Sequence, residues 1–134
     1  MPDRSRDWFA QAERDLAQAE ASAREGRHEW SCFAAHQAAE KAVKALHLRL
    51  GEEGWGHVIS RLLQELPLPL PDGLADKARG LDLHYVPTRY PNGHPEGPPF
   101  EHYGSLQSND AIRFAHDILE FVRAQMASAG NGPA

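Results

Sequence analysis

The residue types best suited to phosphate and base chemistry lie in two short stretches. In Thr88-Arg89-Tyr90-Pro91, an arginine stands directly before an aromatic residue. A guanidinium forks onto phosphate oxygens, and an adjacent ring offers a face for a nucleobase. The structural alternative is that Tyr90 plugs a helical core while Arg89 pairs with an acid such as Glu40 or Asp82. In the second stretch, Gln37, Glu40, Lys41 and Lys44 fall on one ridge at helical spacing. Lys41 and Lys44 could hold phosphate as point charges. Equally, the ridge could be a solvated face carrying a Glu40–Lys44 pair in the favourable acid-before-base order.

Other chemistries find less support. His36, Glu40 and His47 raise the question of a metal, but helical metal sites draw matched Glu and Glu-x-x-His ligands from several helices. The single Glu25-Gly-Arg-His28 string straddles a helix break. No metal and no cofactor are expected. The glycines at 51, 54 and 56 lack the lysine of a phosphate loop. Cys32 reads as a small core hydrophobe.

The elements that must position these residues are helical. Trp30 to Leu50 runs about six turns without Gly or Pro, and alanines at 34, 35, 38, 39, 42 and 45 keep helix propensity high and neighbours close. Apolar residues on several sides of this stretch predict neighbours on several sides, so it should be the central helix of a bundle. His36, Gln37, Glu40, Lys41, Lys44 and His47 are confined to its polar ridge. A first helix is expected from Asp3 or Ser5 to Arg24, with Trp8, Ala12, Leu16, Ala19 and Ala23 on its buried face and Gly26 as its stop. The short break after it turns the second helix antiparallel.

Val58, Ile59, Leu62, Leu63 and Leu66 predict a short third helix, ended by Pro67, Pro69 and Pro71. A fourth, capped by Asp72, carries Leu74, Ala78, Leu81 and Tyr85 and closes near Val86 before Pro87. From Pro87 to Gly104 the chain is a Pro- and Gly-rich loop. Its aromatics Tyr90, Phe100 and Tyr103 predict that it packs on the bundle rather than floating free. A fifth helix starts at Ser105 or Ser108 and buries Ala111, Ala115, Ile118, Val122 and Met126, with Phe114 and Phe121 beside them. The expectation is one all-α domain over residues 1–127, an antiparallel up-and-down four-helix bundle with one short extra helix, and a disordered tail over 128–134.

At 134 residues the chain can bury a core without staples, and one cysteine excludes an intrachain disulfide. A net charge of −5 argues against non-specific duplex DNA binding through a broad basic face. No apolar leader or membrane-length run is present, so a soluble cytoplasmic protein is expected.

The segments AERDLAQAE (12–20), AAHQAAEKAVKALHLRLG (34–51), HVISRLLQEL (57–66), LDLHYVPTRYP (81–91) and AIRFAHDILEFV (111–122) together resemble the HEPN domain family. The resemblance implies a four-helix bundle with a short extra helix, usually a homodimer. It also implies a module that binds a nucleotide or short RNA and acts with a separate minimal nucleotidyltransferase as its partner, in the manner of a toxin–antitoxin pair. The candidate binding residues are then Lys41, Lys44, Tyr85, Arg89 and Tyr90. Some branches of the family are instead metal-independent endoribonucleases that use an arginine followed four to six residues later by a histidine.

That pair suits attack of an RNA 2′-hydroxyl on the neighbouring phosphate, because histidine moves a proton near neutrality while arginine steadies the phosphate. Arg79 and His84 match the family position, whereas Arg89 and His94 match the spacing in the loop. The nuclease form carries its tyrosine two residues after the histidine; here Tyr85 follows at once, and Asn92 stands where an aspartate is common. An arginine and a histidine five apart do not share one helical face, so a nuclease site needs a helix start or kink near Arg79. The remaining alternative is a structural dimer with a decayed pocket.

Overall fold

A computed structural model describes residues 3–130, and every regular element in it is helical. Helix α1 spans Ser5–Arg24 and α2 spans His28–Arg49. The short α3 covers Ile59–Gln64, α4 covers Leu74–Asp82, and α5 runs from Ser105 to Gly130. Two 3-10 turns, Pro91–Gly93 and Pro99–His102, punctuate the loop before α5. This is the all-α bundle expected, with α3 as the short extra helix.

Helix α2 is the hub and packs against every other helix. Ala35, Ala38, Ala39, Ala42, Val43, Ala45 and Leu46 are fully buried around its circumference. Both of its neighbours in sequence are set by Schellman closures. At the end of α1, Arg27 N donates to Ser22 O and Gly26 N to Ala23 O, with Gly26 at φ +77°. At the end of α2, Glu52 N donates to His47 O and Gly51 N to Leu48 O, with Gly51 at φ +80°. Cys32 is fully buried, and that burial, with Glu29 adding to it, pushes its thiol up to about 12.

Several expectations need correction. The buried face of α1 is carried by Phe9, Ala12 and Ala19, while Trp8 is substantially exposed. Gly73, at φ +82°, begins α4 in place of Asp72. Helix α5 continues through Gly130, so residues 128–130 are helical rather than disordered; the rest of the expected tail, 131–134, lies outside the described residues. The loop packs on the bundle as expected, with Thr88 and Pro99 buried, but of its aromatics Tyr103 packs against the core while Tyr90 and Phe100 are exposed. The supposed polar ridge of α2 is largely interior, since His36, Glu40 and His47 are buried.

The most consequential difference is that α4 stops at Asp82, one turn before Val86. Pro87 has no amide to return to Leu83 and disfavours helical backbone at Val86. The exposed carbonyls are taken over by side chains. Thr88 Oγ1 donates to His84 O at 2.7 Å, and the Arg89 guanidinium donates to Tyr85 O. Asp82 meanwhile caps α3 from across the fold: Ile59 N donates to Oδ1 at 2.6 Å, and Ser60 N and Oγ donate to Oδ2 at 3.2 and 2.6 Å. Such a cap satisfies amides that a helix start leaves open.

His84 is thereby turned inward. Its Nδ1 is buried without a hydrogen-bond partner, and its ring meets Tyr103 edge-on at 5.7 Å. Burial, aided by nearby His36, holds its pKa down at about 4 against the ordinary 6.5.

Asp82→Ala should destabilise the fold by about 1–3 kcal/mol, the range for a lost cap that leaves donors unsatisfied, and Asp82→Asn should retain part of it; urea unfolding reads both. Because the native state holds His84 neutral, the unfolded chain binds more protons between pH 6.5 and 4. Stability should therefore fall as pH drops through that window, and His84→Phe should reduce the loss by on the order of 2 kcal/mol. Burial lowers His36 too, so some slope should persist.

Candidate functional site

The middle of α2 places Phe33, His36, Glu40 and Lys44 on neighbouring turns. Glu40 is a carboxylate only 8% exposed, and both its oxygens are used. Lys44 Nζ donates to Oε2 at 3.1 Å, and His57 Nδ1, from the link between α2 and α3, donates to Oε1 at 3.0 Å. A carboxylate can only accept, so the contact puts the neutral ring's proton on Nδ1. His36 Nε2 donates to the carbonyl of His57 at 3.1 Å, holding the backbone of the same residue. His57 is nonetheless 52% exposed.

The turn after α4 lays Tyr85 over this group. Its ring stacks on His57 at 4.6 Å and 18° and lies 5.1 Å from His36. Arg89 completes the cluster. Its Nε and Nη2 donate to Tyr85 O at 2.9 and 2.6 Å, and its guanidinium carbon sits 4.3 Å from the Phe33 ring centre, 4.8 Å from Tyr85 and 5.2 Å from Tyr90. No carboxylate pairs with Arg89 among the described residues. Asp82 is committed to α3 and Glu40 to Lys44 and His57, so the expected alternative of an Arg89 ion pair is not formed. Tyr90 is 49% exposed and does not plug the bundle. The result is a half-buried cation framed by aromatic rings beside an imidazole of defined tautomer.

The other sequence candidates lie elsewhere or are differently engaged. Lys41 Nζ is held by Asp15 of α1 at 2.5 Å. It lines a groove of about 500 Å³ between α1 and α2 that also presents Gln18, Trp30, Phe33 and Gln37. Phe33 is shared with the Arg89 cluster, so the groove runs up to it. Lys44 forms the anticipated pair with Glu40, but at 14% and 8% exposure the pair is largely buried rather than a solvated face.

Arg79 is 55% exposed and bound to Asp76 Oδ1 at 2.6 Å, one turn back on α4. No contact joins it to His84, whose ring faces the interior near Tyr103. In the loop, His94 Nε2 donates to Pro87 O and its ring stacks on His102 at 4.1 Å. His47 Nε2 donates to Leu62 O inside the core. The residues missed by spacing are His57 and Phe33. Glu40 and His57 are 17 positions apart, and no helical period links them.

The chain matches the model of the HEPN domain over residues 5–125. Its fold is similar to the crystal structure of TT1696 from Thermus thermophilus, at 45% identity and a TM-score of 0.91, covering 92% of this chain and 99% of that one. It is similar to ST0689, an archaeal HEPN homologue, at 41% identity and a TM-score of 0.81, covering 93% and 99%. A HEPN domain protein from Thermotoga maritima, at 30% identity and a TM-score of 0.74, covers 90% and 98%. No curated protein matches the chain. No described helix is long and apolar enough to cross a membrane. With the domain model spanning nearly all of the bundle and relatives sharing its helices end to end, the chain belongs to the HEPN domain family.

Proposed function

We propose that the chain is a nucleotide- or RNA-binding HEPN module whose binding site is the Arg89 cluster, acting as a homodimer with a separate minimal nucleotidyltransferase. One observation carries the binding site: Arg89 is oriented by two hydrogen bonds to Tyr85 O and by three rings, yet has no carboxylate partner among the described residues. A half-buried guanidinium without a counter-ion attracts a phosphate, which supplies both charge and acceptors. The exposed ring of Tyr90 and the groove with Trp30 and Phe33 offer stacking faces for a base. Exposed Trp8, Trp30 and Trp55 supply apolar surface for a second copy. The partner enzyme rests on the family likeness alone.

The Arg79–His84 nuclease pair finds no comparable support, because Arg79 already has Asp76 and the Nδ1 of His84 is enclosed.

Titration of a short labelled oligoribonucleotide by fluorescence anisotropy tests the site. Arg89→Ala should weaken binding roughly tenfold to a hundredfold, the scale of one charge-assisted contact. Arg89→Lys should recover little of it, since the ammonium lacks the planar fork. Arg79→Ala should bind as wild type. Equal affinity of Arg89→Ala and wild type would remove the site from consideration.

A further inference from the structure

The turn that closes α2 brings a buried imidazole to a carboxylate on the link beyond the helix. Gly51, at φ +80°, carries the chain back across the helix end, and Glu52 N donates to His47 O at 2.8 Å. His47 is 2% exposed, and its Nε2 lies 2.8 Å from the carbonyl oxygen of Leu62. A carbonyl only accepts, so the proton of the neutral ring sits on Nε2 and Nδ1 keeps a lone pair. That Nδ1 is buried without a hydrogen-bond partner among the described residues, and Glu52 Oε1 stands 3.4 Å from it. A carboxylate oxygen also only accepts. Two lone pairs therefore face each other across a gap.

The surroundings favour a positive ligand. His47 and Glu52 line a pocket of about 410 Å³ together with Glu53, Arg61 and Glu65. Three carboxylates against one guanidinium leave it negative. The pair also sits at the C-terminus of α2, the end of a helix that attracts cations. The imidazole is held in place before any ligand arrives. Its Nε2 contact to Leu62 O is the outer hydrogen bond that fixes the tautomer of a metal-binding histidine. Gly54 passes so close that a Cβ there would lie 3.1 Å from His47 Cδ2. The Glu52 side chain is 44% exposed, so the pair opens to solvent through its carboxylate.

We infer that His47 Nδ1 and Glu52 Oε1 form the core of a site for a first-row divalent cation, zinc being the ion that fits best. An imidazole nitrogen with carboxylate oxygens is a donor set that zinc accepts. Bonds of about 2.1 Å to nitrogen and to oxygen, meeting at the tetrahedral angle, place the two donors about 3.4 Å apart. That is the separation of Nδ1 and Oε1. Among the described residues no third ligating side chain is gathered at the pair, so the exposed Glu53 and Glu65 of the pocket wall, or water, complete the coordination. A bound ion clamps the end of α2 to the link before α3, and the site is independent of Arg89. Five positions are not a helical period; the Gly51 turn, rather than a helix face, joins the two ligands. The rival occupant of the gap is a proton, which would make His47 an imidazolium paired with Glu52.

The test titrates chelator-treated full-length protein with zinc chloride by calorimetry and follows the His47 ring by nitrogen NMR. One zinc should bind per chain, and the thermal midpoint should rise with zinc concentration. Zinc should move the Nδ1 signal of His47 while Nε2 keeps its proton. Magnesium, which prefers oxygen ligands and keeps its waters, should not compete. Glu52→Gln keeps the side-chain shape and can turn its amide nitrogen to Nδ1, so it separates the site from folding. It should lower zinc affinity about a hundredfold, the scale of a lost contact at a metal site, and leave the zinc-free protein at least as stable as wild type. Glu20→Gln, at an exposed carboxylate of α1, should bind zinc as wild type does. No saturable zinc binding, binding that survives Glu52→Gln, or a His47 ring protonated on both nitrogens at neutral pH with zinc present would each overturn the inference.

Discussion

A buried carboxylate at the centre of α2 governs the arrangement around it. Leaving Glu40 unpaired in the interior would cost several kcal/mol, and an alanine-rich helix offers it one partner from its own surface, Lys44. The second oxygen must be met from elsewhere in the chain, and His57 meets it. That contact, with His36 Nε2 on the His57 carbonyl, ties the link after α2 back onto the bundle just before α3. The first amides of α3 are then closed by Asp82, which ends α4. With α4 stopped there, Tyr85 falls onto His57 and Arg89 reaches back onto Tyr85. These contacts form one connected series from α2 to the loop after α4.

Small residues make room for this series. Ala35, Ala38, Ala39 and Ala42 are fully buried, and their size lets the other helices close on α2 while the longer polar side chains of the same helix keep space for their partners. Glycine serves the same end where rings cross. A side chain at Gly80 would come within 3.1 Å of the Phe114 ring, and one at Gly54 within 3.1 Å of His47 and Leu62. These are tight packing contacts, where an added methyl group forces neighbours to move.

How much of this is legible in the sequence follows from the range of each interaction. Helix α5 reads well because Ala111, Ala115, Ile118, Val122 and Met126 follow one period and all are buried. The centrality of α2 is legible for the same reason. Periodicity misplaces the buried face of α1 onto Trp8 because Phe9, one position on, competes for the same stripe, and Phe9 is the one covered, with Arg123 of α5 5.2 Å from its ring centre. It sets the end of α4 too late because Pro87 marks the last residue a helix can reach, not the first at which side chains prefer the carbonyls. The candidate site divides along the same line. Arg89 is legible from its own type and its neighbour Tyr90, whereas the Glu40–His57 contact joins a helix to the link beyond it and leaves no local pattern. The spacing of Arg79 and His84 is legible, but five positions do not share a helical face, and the early end of α4 leaves Arg79 on the surface with Asp76 and His84 against Tyr103.

The loop after α4 explains how a guanidinium can stand ready without a counter-ion. A free arginine side chain loses up to about 2 kcal/mol of rotamer freedom on being fixed, a loss that normally weakens binding. Here the backbone beneath Arg89 is already held. Thr88 Oγ1 closes on His84 O, Arg89 N donates to Val86 O, and His94 reaches Pro87 O. Gly93 approaches Pro87 so closely that a Cβ would stand 2.9 Å from its Cα. Prolines at 87, 91, 95, 98 and 99 restrict the chain further. The guanidinium itself is fixed by Tyr85 O and by the rings that flank it. Folding therefore bears most of the ordering cost of Arg89, and an arriving phosphate meets a cation whose direction is already set.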